Sequence, residues 1–231
     1  MIPSRTALIA AGLLALAFVL PTEAPAAAAV DWASLPNMTG RWIVSPAANP
    51  LPPYKPAWAV KQRQAAAQAR AGKLADPAKT CGLPFGNPWM LGVSDIHEWI
   101  VRPDGVWHNI ENTGVTSRIY TDGRPHLTGD DIFPSYTGDS IGRWEGDTLV
   151  ANTTSFQDDS WMGPGALIHS DKLTLTQRIR LTAPDQLEVK VTAEDPVAFT
   201  RPWQIVYRYR RAPADTIIHE YACKILRTAK D

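Results

Sequence analysis

The sequence predicts a mostly β chain: an antiparallel meander closed or strongly curved into a lipocalin-like barrel, with one N-terminal surface helix. Three observations carry that prediction. Apolar and polar residues alternate at period two through Leu173, Leu175, Ile179 and Leu181, through Leu187, Val189 and Val191, and along Trp203–Arg210, the signature of half-buried strands. Turn residues separate such runs at Pro103-Asp104-Gly105, Thr121-Asp122-Gly123, Glu145-Gly146-Asp147 and Ala183-Pro184-Asp185-Gln186, where Pro, Asp and Gly suit tight-turn geometry. A single stretch, Ala57–Ala71, is built of Ala, Gln, Arg and Lys and followed by Gly72, the pattern of a helix with a glycine at its end. An α+β cone of the nuclear-transport-factor type is the alternative, disfavoured because only one helix is visible.

In chain order, Arg5 precedes the apolar run Thr6–Leu20, Pro21 and the small residues Ala24–Ala29. That is the layout of a secretory signal over residues 1–29, with an uncleaved anchor as the alternative. Residues 30–231 then form one domain, periplasmic or secreted, with no stable membrane insertion once the signal is cleaved. Thr39–Val44 reads as a first strand, and Pro46, Pro50, Pro52, Pro53 and Pro56 then forbid a regular ladder. The helix follows. Its apolar content is mostly alanine, which places it on the surface of a body built by other elements. Ile96–Arg102 and Val106–Asn112 form a hairpin; Val115–Tyr120, Arg143-Trp144 and Thr148–Thr153 add strands, and Ile217–Cys223 closes a series of eight or nine. Closure into a barrel removes exposed edges.

Composition narrows the function. The chain holds 23 basic and 23 acidic residues, and segment 1–29 takes one of each, Arg5 and Glu23, so the remainder stays balanced. A neutral chain has no phosphate-seeking stripe, which argues against nucleic-acid binding and polybasic membrane docking. Nine Trp and six Tyr suggest a core or pocket rich in flat aromatic surface. Two cysteines in an exported chain are expected to pair as Cys81–Cys223; chain-entropy arithmetic gives such a bridge about 5 kcal/mol. No G-x-S-x-G, Rossmann fingerprint or phosphate-binding loop is present, so no nucleotide cofactor is expected. The five histidines, at 97, 108, 126, 169 and 219, show no metal-ligand spacing, so no metal is expected. His97 and His108 lie on facing strands of the hairpin and read as wall residues.

Candidate chemistry concentrates around two turns. Tyr120, Asp122, Arg124 and His126 surround the first; Trp144, Glu145 and Asp147 surround the second. An imidazole moves protons near neutral pH, and a neighbouring carboxylate fixes its tautomer. The competing reading is that these acids and arginines are turn residues paired on the surface. His169-Ser170-Asp171 forms a second candidate loop, and Arg201 with Trp203 a third, the arginine for an anionic group and the indole for stacking; solvation and rigid core packing are their respective alternatives.

Taken together, Cys81-x-x-Pro84-x-Gly86-x-Pro88-x-Met90, Arg118-Ile-Tyr-Thr-Asp-Gly-Arg-Pro-His126, Ser140-Ile-Gly-Arg-Trp-Glu-Gly-Asp-Thr-Leu-Val150, His169-Ser170, Asp195-Pro196 and Thr200-Arg-Pro-Trp203 resemble a widespread uncharacterised family of exported bacterial proteins. The resemblance runs from about Leu51 to Cys223. It implies a common fold and a shared site around these motifs, not a named reaction. That family usually reads Val-Val-Asp where this chain has Val150-Ala151-Asn152, so an expected acid is an amide here.

The expected function is a cofactor-independent lyase or isomerase that holds an apolar or aromatic small molecule in the barrel. His126 is its acid or base, with Asp122 or Asp147 orienting the ring, Tyr120 and Arg124 stabilising negative charge, and Trp144 and Trp203 walling the pocket; Glu145, His169 and Arg201 are further candidates. A binding or carrier protein without chemistry is the alternative, and a structural envelope role a third. Oligomeric state is not legible.

Overall fold

A computed structural model describes residues 35–45, 50–74, 86–93, 96–111 and 115–219. The proposed signal segment, both cysteines and therefore the Cys81–Cys223 bridge lie outside the described residues, as does most of the expected last strand.

Among the described residues, nine strands close into one barrel in sequence order: β1 (Gly40–Ser45), β2 (Ile96–Arg102), β3 (Gly105–Ile110), β4 (Thr116–Tyr120), β5 (Asp139–Glu145), β6 (Thr148–Thr154), β7 (Thr174–Ala183), β8 (Gln186–Glu194) and β9 (Trp203–Arg211). One α-helix, α1 (Pro56–Arg70), lies between β1 and β2. The barrel closes where β9 pairs antiparallel with β1, Val44 opposite Tyr209. Residues 217–219 are irregular rather than strand; the preceding segment has already left the sheet at Ala212-Pro213, and proline cannot donate to a ladder.

The meander is broken at one place. β4 and β5 run parallel and share only the pairs Ile119–Ser140 and Tyr120–Ile141, whereas every other neighbouring pair is antiparallel. A parallel step needs a long crossover, and segment 121–138 supplies it. The motif Ser140-Ile-Gly-Arg fits this seam: Gly142 faces inward, and a β-carbon there would sit 2.8 Å from Ile119 Cγ2, so only glycine lets β4 approach so closely.

Period two decides what fills the barrel. Trp42, Val44, Trp99, Ile119, Leu149, Leu175, Ile179, Val189 and Tyr209 all point inward and are buried in one packed cluster. Trp203 belongs to it as well, with Nε1 donating to the Pro50 carbonyl at 2.8 Å. Polar side chains share this interior, among them His97, His108, Gln177 and the hydrogen-bonded Ser140 and Thr153.

Helix α1 begins with Pro56 at its first turn, where the missing N–H is harmless, and ends at Gly72 with φ of 68°. It packs Ala65 and Ala69 toward the 161–168 segment, and Gln62 Nε2 donates to the Gly165 carbonyl at 2.9 Å.

Candidate functional site

With inward positions occupied by packed side chains, the open chemistry lies outside. The crossover 121–138 returns over the outer face of β5 and β6, where side chains at Asp139, Ile141, Asn152 and Thr154 point outward because their neighbours Ser140, Ala151 and Thr153 point in. His126 lies across this face. Its Nδ1 is 2.6 Å from Asp139 Oδ2, and its Nε2 is 2.9 Å from Asn152 Oδ1. The same Asp139 oxygen accepts the Leu127 backbone N–H at 3.1 Å, which fixes the loop as well as the ring. Asn152 Nδ2 faces the Leu175 carbonyl at 3.4 Å, so its oxygen is the atom turned to His126. Each ring nitrogen thus faces a side-chain oxygen. The ring keeps 23% of its side-chain surface exposed and Asp139 13%.

His126 lines an open bowl of about 680 Å³ together with Asp122, Arg124, Leu127 and Asp131, and Asp139 backs the ring through its Nδ1. Asp122 holds Arg124 through its Nε at 2.9 Å, and the guanidinium lies 3.8 Å over the Tyr120 ring. Hydrogen bonding from Arg124 holds the Asp122 carboxyl below its usual range. Thus Tyr120, Asp122, Arg124 and His126 do share one place, but the carboxylate on the imidazole is Asp139, neither Asp122 nor Asp147. Asp139 begins β5 and has no local turn signal; only the crossover brings it to His126.

The other candidates stand apart. Glu145 accepts from Arg143 at 2.5 Å and Arg178 at 3.0 Å on the outer wall, and those hydrogen bonds lower its carboxyl. Asp147 accepts from Thr148 Oγ1 in the β5–β6 turn, and Trp144 packs on the core from the barrel rim. The loop histidine is not solvated: His169 is buried, its Nδ1 donating to the Ser170 carbonyl and its Nε2 accepting from Ser160 Oγ, each at 2.8 Å. Burial pushes its pKa below the ordinary imidazole value. Ser160 was not legible as its partner, since nothing local marks the residue. Asp195 is likewise structural: it accepts from Ser170 N and Oγ, Val197 N and Ala198 N. Arg201 lines a separate cleft with Phe199, and Trp203 is core rather than pocket wall.

Among the described residues, no three His, Cys, Asp or Glu side chains gather as a metal-ligand set. No family model matches the chain, and no curated protein matches it.

Proposed function

We propose that the protein works outside the cytoplasm on an apolar or aromatic small molecule held in the His126 bowl, by cofactor-independent acid–base chemistry of the lyase or isomerase type. The observation that carries this reading is the carboxylate–imidazole pair Asp139–His126, both partly exposed, with the imidazole lining an open bowl. Asp139 fixes Nδ1–H, so Nε2 is the nitrogen that exchanges a proton with a substrate. Asn152 is the neutral partner that Nε2 leaves to do so. Arg124, held by Asp122 and stacked on Tyr120, faces developing negative charge at the rim. Leu127, Ile132 and Phe133 on the same crossover are exposed apolar surface for the body of the ligand.

A second reading, binding without chemistry, draws support from one feature: both nitrogens of His126 are already engaged by protein groups. Proton exchange separates the two. Apolar and aromatic carbon acids incubated with the protein in deuterated water should gain deuterium at the acidic carbon, and His126→Gln should abolish the exchange while keeping binding. Exchange undiminished in His126→Gln discards the assignment. Saturable binding with no exchange or product in the native protein establishes the carrier reading instead.

A further inference from the structure

A second cleft, of about 570 Å³, opens where β7 begins, β8 ends and segment 195–202 turns back toward β9; it is lined by Lys172, Thr174, Glu194, Phe199 and Arg201 among others. Its size suits a small organic molecule. Thr174 pairs with Glu194, and Thr153 with Leu175, while Asp139 pairs with Thr154. The cleft edge is therefore two strands from Asp139, roughly 10 Å at the usual strand spacing. It is a separate place on the same outer wall.

Charged side chains on the outer wall differ in how they are engaged. Glu145 is held by Arg143 and Arg178, and Glu188 lies within ion-pair distance of Arg180, Lys190 and Arg208. In the cleft, Asp195 is saturated by four donors and Lys172 is paired with Asp171 at 2.7 Å. Glu194 and Arg201 remain. Neither side chain has a hydrogen-bond or ion-pair partner among the described residues, and they do not pair with each other. Phe199 lines the same cleft, buried and set edge-on to Trp203 with centroids 6.4 Å apart. One free carboxylate, one free guanidinium and an aromatic floor match a ligand with both charges and an apolar body.

We propose that this cleft binds a zwitterionic small molecule of the amino-acid type, with its carboxylate on Arg201, its ammonium on Glu194 and its apolar body over Phe199. The site does not depend on the chemistry assigned to His126. Calorimetric titration of the full chain with L-phenylalanine, N-acetyl-L-phenylalanine and L-phenylalaninamide tests it. L-Phenylalanine should bind saturably, and each analogue, lacking one charge-assisted contact, should bind about tenfold more weakly. Arg201→Gln should erase the preference over the amide, and Glu194→Gln the preference over the acetylated form. His126→Gln should leave all three affinities unchanged. Absence of saturable phenylalanine binding, equal affinity of the three compounds for the native protein, or discrimination that survives both substitutions would overturn the proposal.

Discussion

Two sets of histidines separate the interior of this barrel from its outer wall. His97 and His108 face inward, with 0% and 2% of their surface exposed. Val93 O accepts His97 Nε2–H at 2.9 Å, which leaves His97 Nδ1 to accept from His108 Nε2–H at 2.8 Å. Trp99 stacks on His108 with centroids 4.1 Å apart, and Tyr209 meets His97 edge-on. Burial holds His97 down to about 4 and His108 well below its ordinary value. These rings are neutral packing units. His126, by contrast, meets a carboxylate and an amide on a partly open face. The same residue type is thus a core element where strand register turns it inward among apolar side chains and a partly exposed partner of a carboxylate where the crossover lays it over Asp139.

The comparison breaks most heavily on the inner side. Trp42→Ala removes a fully buried indole whose Nε1 donates to the Met38 carbonyl at 2.9 Å; a loss of about 3–5 kcal/mol is expected, read from the denaturant midpoint. Acid should act next. With His97 near 4 in the folded protein and imidazole near 6.5 in the unfolded chain, the unfolded state binds more protons between those values. Stability is then full above pH 6.5 and falls toward pH 4. His97 alone accounts for about 3 kcal/mol of that fall, and His108 and His169 act in the same direction. Denaturant unfolding across this range should show the slope, and His97→Gln should reduce it.

How much of this was legible in the sequence differs by level. The β2–β3 hairpin and the β7–β8 turn follow from Pro103-Asp104-Gly105 and Ala183-Pro184-Asp185-Gln186, and Ile96–Arg102 coincides with β2, because turn chemistry and period two are local. The parallel seam was not legible. An antiparallel meander is the default when strands follow one another, and the length of segment 121–138 is the one sign of a crossover. The cluster of Tyr120, Asp122, Arg124 and His126 is contiguous in sequence and stays together in space. Asp139, in contrast, reaches His126 only through that crossover. Position 152, singled out as an amide where an acid is usual in the resembling family, lands on the His126 ring. Trp203 was read as a pocket wall, yet its place in an alternating run puts it among the inward residues.

On the outer side the expected effects are smaller. Asp139→Asn keeps an acceptor for Nδ1–H but removes the charge, and a loss of about 1 kcal/mol in unfolding free energy is expected, with shifted Leu127 and His126 resonances. Glu145→Gln loosens ion pairs to Arg143 and Arg178 that are open to water; no measurable change in the denaturant midpoint is expected, since exposed pairs contribute little.

The central claim is that the working surface lies on the outer wall beneath the 121–138 crossover and not within the packed barrel. Amide chemical-shift mapping with a library of apolar and aromatic fragments tests it most directly. The account predicts saturable shifts at Arg124, His126, Leu127, Asp139 and Asn152 in the native protein, retained at Arg124, Leu127, Asp139 and Asn152 in His126→Gln. Shifts concentrated on inward residues such as Trp99, Leu149 and Val189, with the crossover silent, would contradict it.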